Sequence, residues 1–146
     1  EYGTGPALHG YQAAGAAPLV EGKPVENPET VASAIRIGNP ARWEEAMAAF
    51  TASRGRVAAV SDEQILDTYR WLADSEGVFC EPASAASVAG LLAHGLPVVE
   101  GAAKPESVVC VLTGHGLKDP DAVQPEEGSL TPIPPDLGSI REAMDL

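Results

Sequence analysis

The chain has 146 residues, one domain's worth, enough to bury roughly 68–70 % of the unfolded surface, so neither a disulfide nor a metal is required for a core. Its 45 % apolar and 21 % charged residues exclude a chain disordered throughout, while 15 glycines and 13 prolines imply many turns. Nine basic against twenty-one acidic residues give a net charge of −12, which repels phosphate backbones and anionic lipid and excludes nucleic acid and membrane as expected partners.

After a Gly/Pro-punctuated start, residues 10–20 are small and apolar and predict a short strand followed by a close-packed turn. Residues 21–29 read as loop, and 30–37 as a partly apolar segment ending at Gly38. Asn39 followed by Pro40 predicts a helix start, because the Asn side chain can cap and proline at the first helical position loses no hydrogen bond. Trp43, Ala46, Met47 and Phe50 then form one apolar face, read as core packing, with Arg42, Glu44 and Glu45 turned outward.

Residues 56–60 read as a strand, and Ser61 with Gln64 as a capping box opening a helix whose face is Ile65, Leu66, Tyr69, Leu72 and Ala73. Gly77 stops that helix. Val78–Cys80 is expected to be a very short buried strand, delivering a helix over 81–93 so poor in charge that it must be enclosed. The run 107–112 has the length and β-branched content of a buried strand, which puts Thr113 at a strand's carboxyl end, where open α/β sheets present groups to ligands. Prolines 120, 125, 132, 134 and 135 make the tail irregular, with Leu137, Ile140 and Met144 spaced for a brief closing helix that docks on the body. Strands alternating with helices predict an α/β fold with a mostly parallel sheet and flanking helices. Cys80 and Cys110 read as buried reduced thiols, and with no signal-peptide pattern or long apolar run a cytoplasmic location is expected. The start Glu1-Tyr2-Gly3 reads as an entry into the middle of a longer chain.

Polar groups meet element ends at Ile37-Gly38, Glu81 and Thr113. Each has a plain alternative: Glu81 can serve the positive end of its helix, and a strand-end threonine can bond backbone. His115 reads as a loop histidine. A Ser84/His115/Asp119 hydrolase set is unsupported by any Gly-x-Ser-x-Gly elbow, and Gly114-x-Gly116 lacks the third glycine of a dinucleotide loop, where Asp119 stands.

Four segments in order, Gln12-Ala-Ala-Gly-Ala-Ala-Pro18, Ala34-Ile-Arg-Ile-Gly-Asn-Pro40, Glu81-Pro-Ala-Ser-Ala-Ala86 and Leu112-Thr-Gly-His-Gly-Leu-Lys-Asp-Pro120, resemble the carboxyl-terminal part of the threonine synthase family. The resemblance covers nearly all of residues 10–120. It implies a pyridoxal 5'-phosphate (PLP) fold of the tryptophan synthase β type, with 1–120 the carboxyl-terminal part of the large PLP-binding domain and 121–146 a Pro-rich tail. It implies conversion of O-phospho-L-homoserine and water to L-threonine and phosphate, by an enzyme that is a homodimer when intact. Thr113 would face the cofactor's ring nitrogen, where a neutral hydroxyl leaves that nitrogen largely unprotonated. Glu81, Ile37 and Gly38 would border the ring.

The family's Schiff-base lysine, in a Ser-Phe-Lys-Asp-Arg-like motif, is expected in a missing amino-terminal part. No catalytic role passes to Lys23, Lys104 or Lys118, and the chain alone is expected to be inactive. With Gln and Ala at 12–18, no metal is expected. The alternatives are another PLP-dependent β-replacement or dehydratase enzyme and, from a different class, a non-catalytic acidic interaction module.

Overall fold

A computed structural model describes residues 5–95, 107–123 and 132–145. Strand β1, His9–Ala13, leads through a 3-10 turn at Ala14–Ala16 into the one-turn helix α1, Pro18–Glu21. The small residues allow the expected close packing. Ala13, Ala16 and Ala17 are buried, and Gln12 closes the turn by accepting the Leu19 amide on Oε1 at 2.9 Å. Strand β2, Arg56–Val60, pairs with β1 in parallel, from His9 opposite Arg56 to Ala13 opposite Val60. Parallel neighbours need a crossover connection, and the intervening chain supplies it with helix α2, Trp43–Ala52. The architecture is α/β, and the sheet among the described residues is this parallel pair with helices flanking it.

Helix α2 starts later than Asn39-Pro40 predicts. The Val25 amide holds the Gly38 carbonyl at 2.9 Å, and the chain turns through 41–42 before the first helical bond, from the Ala46 amide to the Arg42 carbonyl at 3.0 Å. Arg42 occupies the cap position without a side-chain bond. The predicted stripe keeps its sidedness, with Trp43, Ala46, Met47 and Phe50 half-buried while Glu44 and Glu45 are exposed, but none of the four belongs to the buried core.

Helix α3, Asp62–Glu76, opens with the expected capping box: Ser61 Oγ accepts the Gln64 amide at 3.1 Å and Gln64 Oε1 accepts the Ser61 amide at 2.9 Å. Such a cap contributes about 1 kcal/mol. Gly77 ends the helix in the left-handed region at φ 66°, where a side chain would be strained. Ile65, Tyr69 and Leu72 are buried, and Thr68 joins them. Asp62, in the first turn, accepts from Thr30 Oγ1 at 2.5 Å and from the Val31 amide at 3.0 Å, which fastens residues 30–31 to α3.

Helix α4, Pro82–His94, is enclosed as its composition requires, with Pro82, Ser84, Ala85, Ala86, Ala89 and Gly90 buried. The Tyr11 ring lies against Gly90 and stacks on His94 at 5.9 Å between centroids. The core is the seam of α3, α4 and the strand ends, built on Val60, Ile65, Tyr69, Leu72, Ala85, Ala86 and Ala89.

Two expected strands do not form. Val78 and Phe79 are 37 % and 44 % exposed, and of their segment Cys80 alone pairs, in an isolated antiparallel bridge with His115. Residues 107–113 are irregular, with Val109 86 % and Val111 66 % exposed. A strand exists through its ladder, and no described strand lies beside this run to supply one. Helix α5, Leu137–Ala143, is capped by Asp136, whose carboxylate accepts the Gly138 and Ser139 amides. Leu137, Ile140 and Met144 are 67 %, 39 % and 61 % exposed.

Both ring nitrogens of His9 are buried with no hydrogen-bond partner among the described residues. Burial, and then the Arg56 charge, lowers the imidazole pKa from its usual 6.5. Below that value the unfolded chain binds more proton at His9 than the fold does, so stability is lost as pH falls from 6.5 towards the lowered value. Urea unfolding at about pH 7.5 and about pH 5.5 will show this loss, and His9→Gln will reduce it. An equal loss in the variant would remove His9 as its source.

Candidate functional site

Glu81 stands at the cap position of α4 with Pro82 at the first helical position, and Ser84 follows three residues later on the same side. The Glu81 side chain makes no cap bond to its helix. The carboxylate instead turns to Lys118, with Oε2 3.2 Å and Oε1 3.4 Å from Nζ. The Glu81 side chain is 5 % exposed and that of Lys118 62 %, so the pair has one end in the protein and one in water. Gly114 lies against this carboxylate so closely that a Cβ there would collide with it.

The loop carrying Thr113 is fixed to the start of α4 by backbone and by one hydroxyl. The Glu81 amide donates to the Gly114 carbonyl at 2.8 Å, and the Gly116 amide to the Phe79 carbonyl at 3.1 Å. Ser84 Oγ accepts the Thr113 and Gly114 amides, each at 2.9 Å, and lies 3.0 Å from Thr113 Oγ1. Ser84 is 3 % exposed, whereas Thr113 is exposed. Thr113 therefore stands on a loop pinned to a helix start, not at the end of a strand.

Of the four residues singled out from sequence, Glu81 and Thr113 come together around Ser84 and Gly114. Ile37 and Gly38 do not join them by any hydrogen bond or ion pair among the described residues. Ile37 is 50 % exposed, and Gly38 packs on the Val25 carbonyl. The connection is indirect: Asp119 Oδ2, on the Thr113 loop, accepts from Ser33 Oγ at 2.6 Å and from the Ser33 amide at 3.3 Å. A 3-10 turn at Ser33–Ile35 then leads to Ile37.

The hydrolase set is not assembled. Ser84 is committed to Thr113 and Gly114, Asp119 to Ser33, and His115 Nδ1 to the Leu117 amide at 3.2 Å. His115 also sits edge-on to Phe79, 5.3 Å between ring centroids, as a loop histidine. Burial raises the Cys80 thiol, with the Glu81 charge adding to it, and burial raises Cys110, so neither is a poised nucleophile. Lys23 meets Glu21 at 4.0 Å on the surface, and Lys104 lies outside the described residues.

Ser84, Lys118, Asp119 and Ser33 hold the site together, and reasoning from sequence assigned them no such part. For Ser84 a signal was present, since its three-residue spacing from Glu81 puts both on one side of a first turn. For Lys118 and Asp119 only the fold brings the partners together, 37 and 86 residues away in the chain.

Residues 1–114 match the family described as pyridoxal-phosphate dependent enzyme. The chain is 53 % identical over 141 residues to a threonine synthase of Synechocystis sp., covering 95 % of this chain and 36 % of that protein. It is 50 % identical over 143 residues to a threonine synthase of Mycobacterium leprae, covering 97 % of this chain and 39 % of the relative. A threonine synthase of Methanocaldococcus jannaschii is 47 % identical over 128 residues, 80 % of this chain and 30 % of the relative. The chain thus spans little more than a third of the length of the first two. A crystal structure of a threonine deaminase from T.th. overlays on 60 % of this chain and 34 % of its own, at 25 % identity and a TM-score of 0.49. On the match over residues 1–114, the chain belongs to the pyridoxal-phosphate dependent enzymes.

Proposed function

We propose that this chain forms the face of a threonine synthase that meets the ring nitrogen of PLP, in an enzyme converting O-phospho-L-homoserine and water to L-threonine and phosphate. The observation that carries the reading is the exposed Thr113 hydroxyl, held against the start of α4 by Ser84. Identities of 47–53 % to threonine synthases favour this reaction over that of another PLP-dependent β-replacement or dehydratase enzyme.

The residues present fit the cofactor. A pyridine nitrogen asks for one donor, and Thr113 offers a neutral hydroxyl at an accessible position. A free carboxylate there would favour a protonated ring, but Glu81 is turned into Lys118. When bound, PLP supplies an electron sink, whose strength depends on what its ring nitrogen meets. In this reading Thr113 donates to that nitrogen, Glu81 braces the loop from beneath, and Ile37 and Gly38 border the ring. Residues 1–120 belong to the cofactor-binding domain and 121–146 form a Pro-rich tail with a short helix. The lysine that tethers the cofactor comes from outside this chain, so the 146 residues alone are inactive. The intact protein is a cytoplasmic homodimer.

The test uses the full-length protein. With PLP it releases phosphate from O-phospho-L-homoserine in step with threonine. Ketobutyrate production or indole consumption without phosphate release would instead identify a dehydratase or a tryptophan synthase relative, and failure to bind PLP would favour the non-catalytic module. Thr113→Ala loses one orienting hydrogen bond and weakens PLP binding about tenfold, with lower turnover. Thr113→Asp changes the cofactor's absorbance by protonating its ring. Unchanged spectra and kinetics in both variants would remove Thr113 from the site.

A further inference from the structure

We propose that Ser84 is a positioning residue: it delivers its hydroxyl hydrogen to Thr113 Oγ1 and so leaves the Thr113 hydroxyl hydrogen for the ring nitrogen. The inference rests on the reading of Thr113 given above.

It follows from counting hydrogens. A serine oxygen has two lone pairs and one hydrogen. Backbone N–H groups can only donate, and those of Thr113 and Gly114, each 2.9 Å from Ser84 Oγ, take up both lone pairs. The remaining neighbour is Thr113 Oγ1 at 3.0 Å, and the Ser84 hydrogen goes to it. Ser84 then has no lone pair left to receive the Thr113 hydrogen, which finds no other acceptor among the described residues and is free to point outward. Thr113 is exposed, so that hydrogen is available to a ligand acceptor. An unprotonated pyridine nitrogen completes this arrangement. A protonated one would have to take the remaining Thr113 lone pair and turn the hydroxyl hydrogen aside.

Ser84 suits the task because it cannot drift. It lies in the first turn of α4, is 3 % exposed, and is therefore shielded from water that could replace either bond. The titratable groups around it are otherwise engaged: Glu81 with Lys118, His115 with the Leu117 amide, Asp119 with Ser33. The buried Cys80 thiol has its pKa raised by burial.

The test is the ring nitrogen's own titration in the full-length protein loaded with PLP labelled with nitrogen-15 in the ring. In the wild type the nitrogen shift stays that of the unprotonated ring through neutral pH. Ser84→Ala frees the Thr113 hydroxyl to turn, which raises the nitrogen's titration midpoint by about one pH unit and weakens PLP binding about three- to tenfold. Ser84→Cys fills nearly the same space with a poor hydrogen-bonding atom and will behave like Ala in both readouts, whereas Ser84→Thr, which keeps the oxygen, will restore the wild-type titration. A packing role alone would make Cys resemble the wild type and would overturn the proposal, as would an unshifted midpoint in both Ala and Cys. Thr113→Val separates the two levels. If it shifts the nitrogen while the Ser84 variants do not, only the Ser84 inference fails; if it too changes nothing, the reading of Thr113 fails.

Discussion

Gly114→Ala in the full-length protein will lower kcat/KM about 100-fold, the order of loss expected when a positioning group moves by about 1 Å. The added methyl group would meet the carboxylate of Glu81, whose retreat is opposed because its side chain is 5 % exposed and both oxygens lie within reach of Lys118. Either the ion pair breaks and leaves a carboxylate enclosed without its partner, or the loop lifts and carries Thr113 off Ser84. The first removes the brace beneath the hydroxyl on which the proposed function depends, and the second displaces it. Overpacking of this kind also costs about 1–3 kcal/mol of stability, readable as a lower denaturation midpoint. Glu81→Ala in the same chain opens the space again, so the double variant will recover part of the stability, a coupling two independent sites would not show. A kcat/KM within a factor of about three of wild type for Gly114→Ala would mean that the loop gives way without moving Thr113.

The parts of the fold legible in the sequence are those set by neighbours along the chain. Helix α3 is the clearest, because its cap, its apolar face and its stop at Gly77 are all local chemistry within Ser61–Gly77. Charge-poor α4 was legible as an enclosed helix for a similar reason. The Asn39-Pro40 start misled because a contact from Val25 to Gly38, outside the local pattern, sets where the chain may begin to coil. The strand expected at 107–112 misled differently. β-branched content measures fit to a pleated, half-buried surface, and Val109 and Val111 have no such surface among the described residues. At the site, Thr113 and Glu81 could be singled out because polar groups at element ends are few. Their arrangement could not, since it turns on Lys118 reaching Glu81 and on Ser84 meeting amides 29 and 30 residues away. Glu81 shows the limit well: local reasoning offers it the helix end, and the fold gives it a lysine.

Ile65→Ala will cost about 2–5 kcal/mol, read from denaturant unfolding, and the surroundings argue for the upper half of that range. Ile65 is 0 % exposed and is among the largest fully buried side chains. Its cluster is rich in alanine, with Ala13, Ala32, Ala85, Ala86 and Ala89 supplying much of the seam. Alanines have no rotamer with which to swing into a vacated space, so a cavity here persists instead of collapsing. Ile65→Val will cost about 0.5–1.5 kcal/mol, while Leu92→Ala, at a side chain 62 % exposed, will stay within about 0.5 kcal/mol of wild type. The consequence reaches the site because α3 and α4 share this seam and Ser84 stands on the first turn of α4. Loosening the seam should weaken PLP binding in Ile65→Ala without altering the ring nitrogen's titration, since Ser84 keeps its hydrogen and its partners. A cost below about 1 kcal/mol for Ile65→Ala would show that the α3–α4 seam is not what holds the loop bearing Thr113 in place.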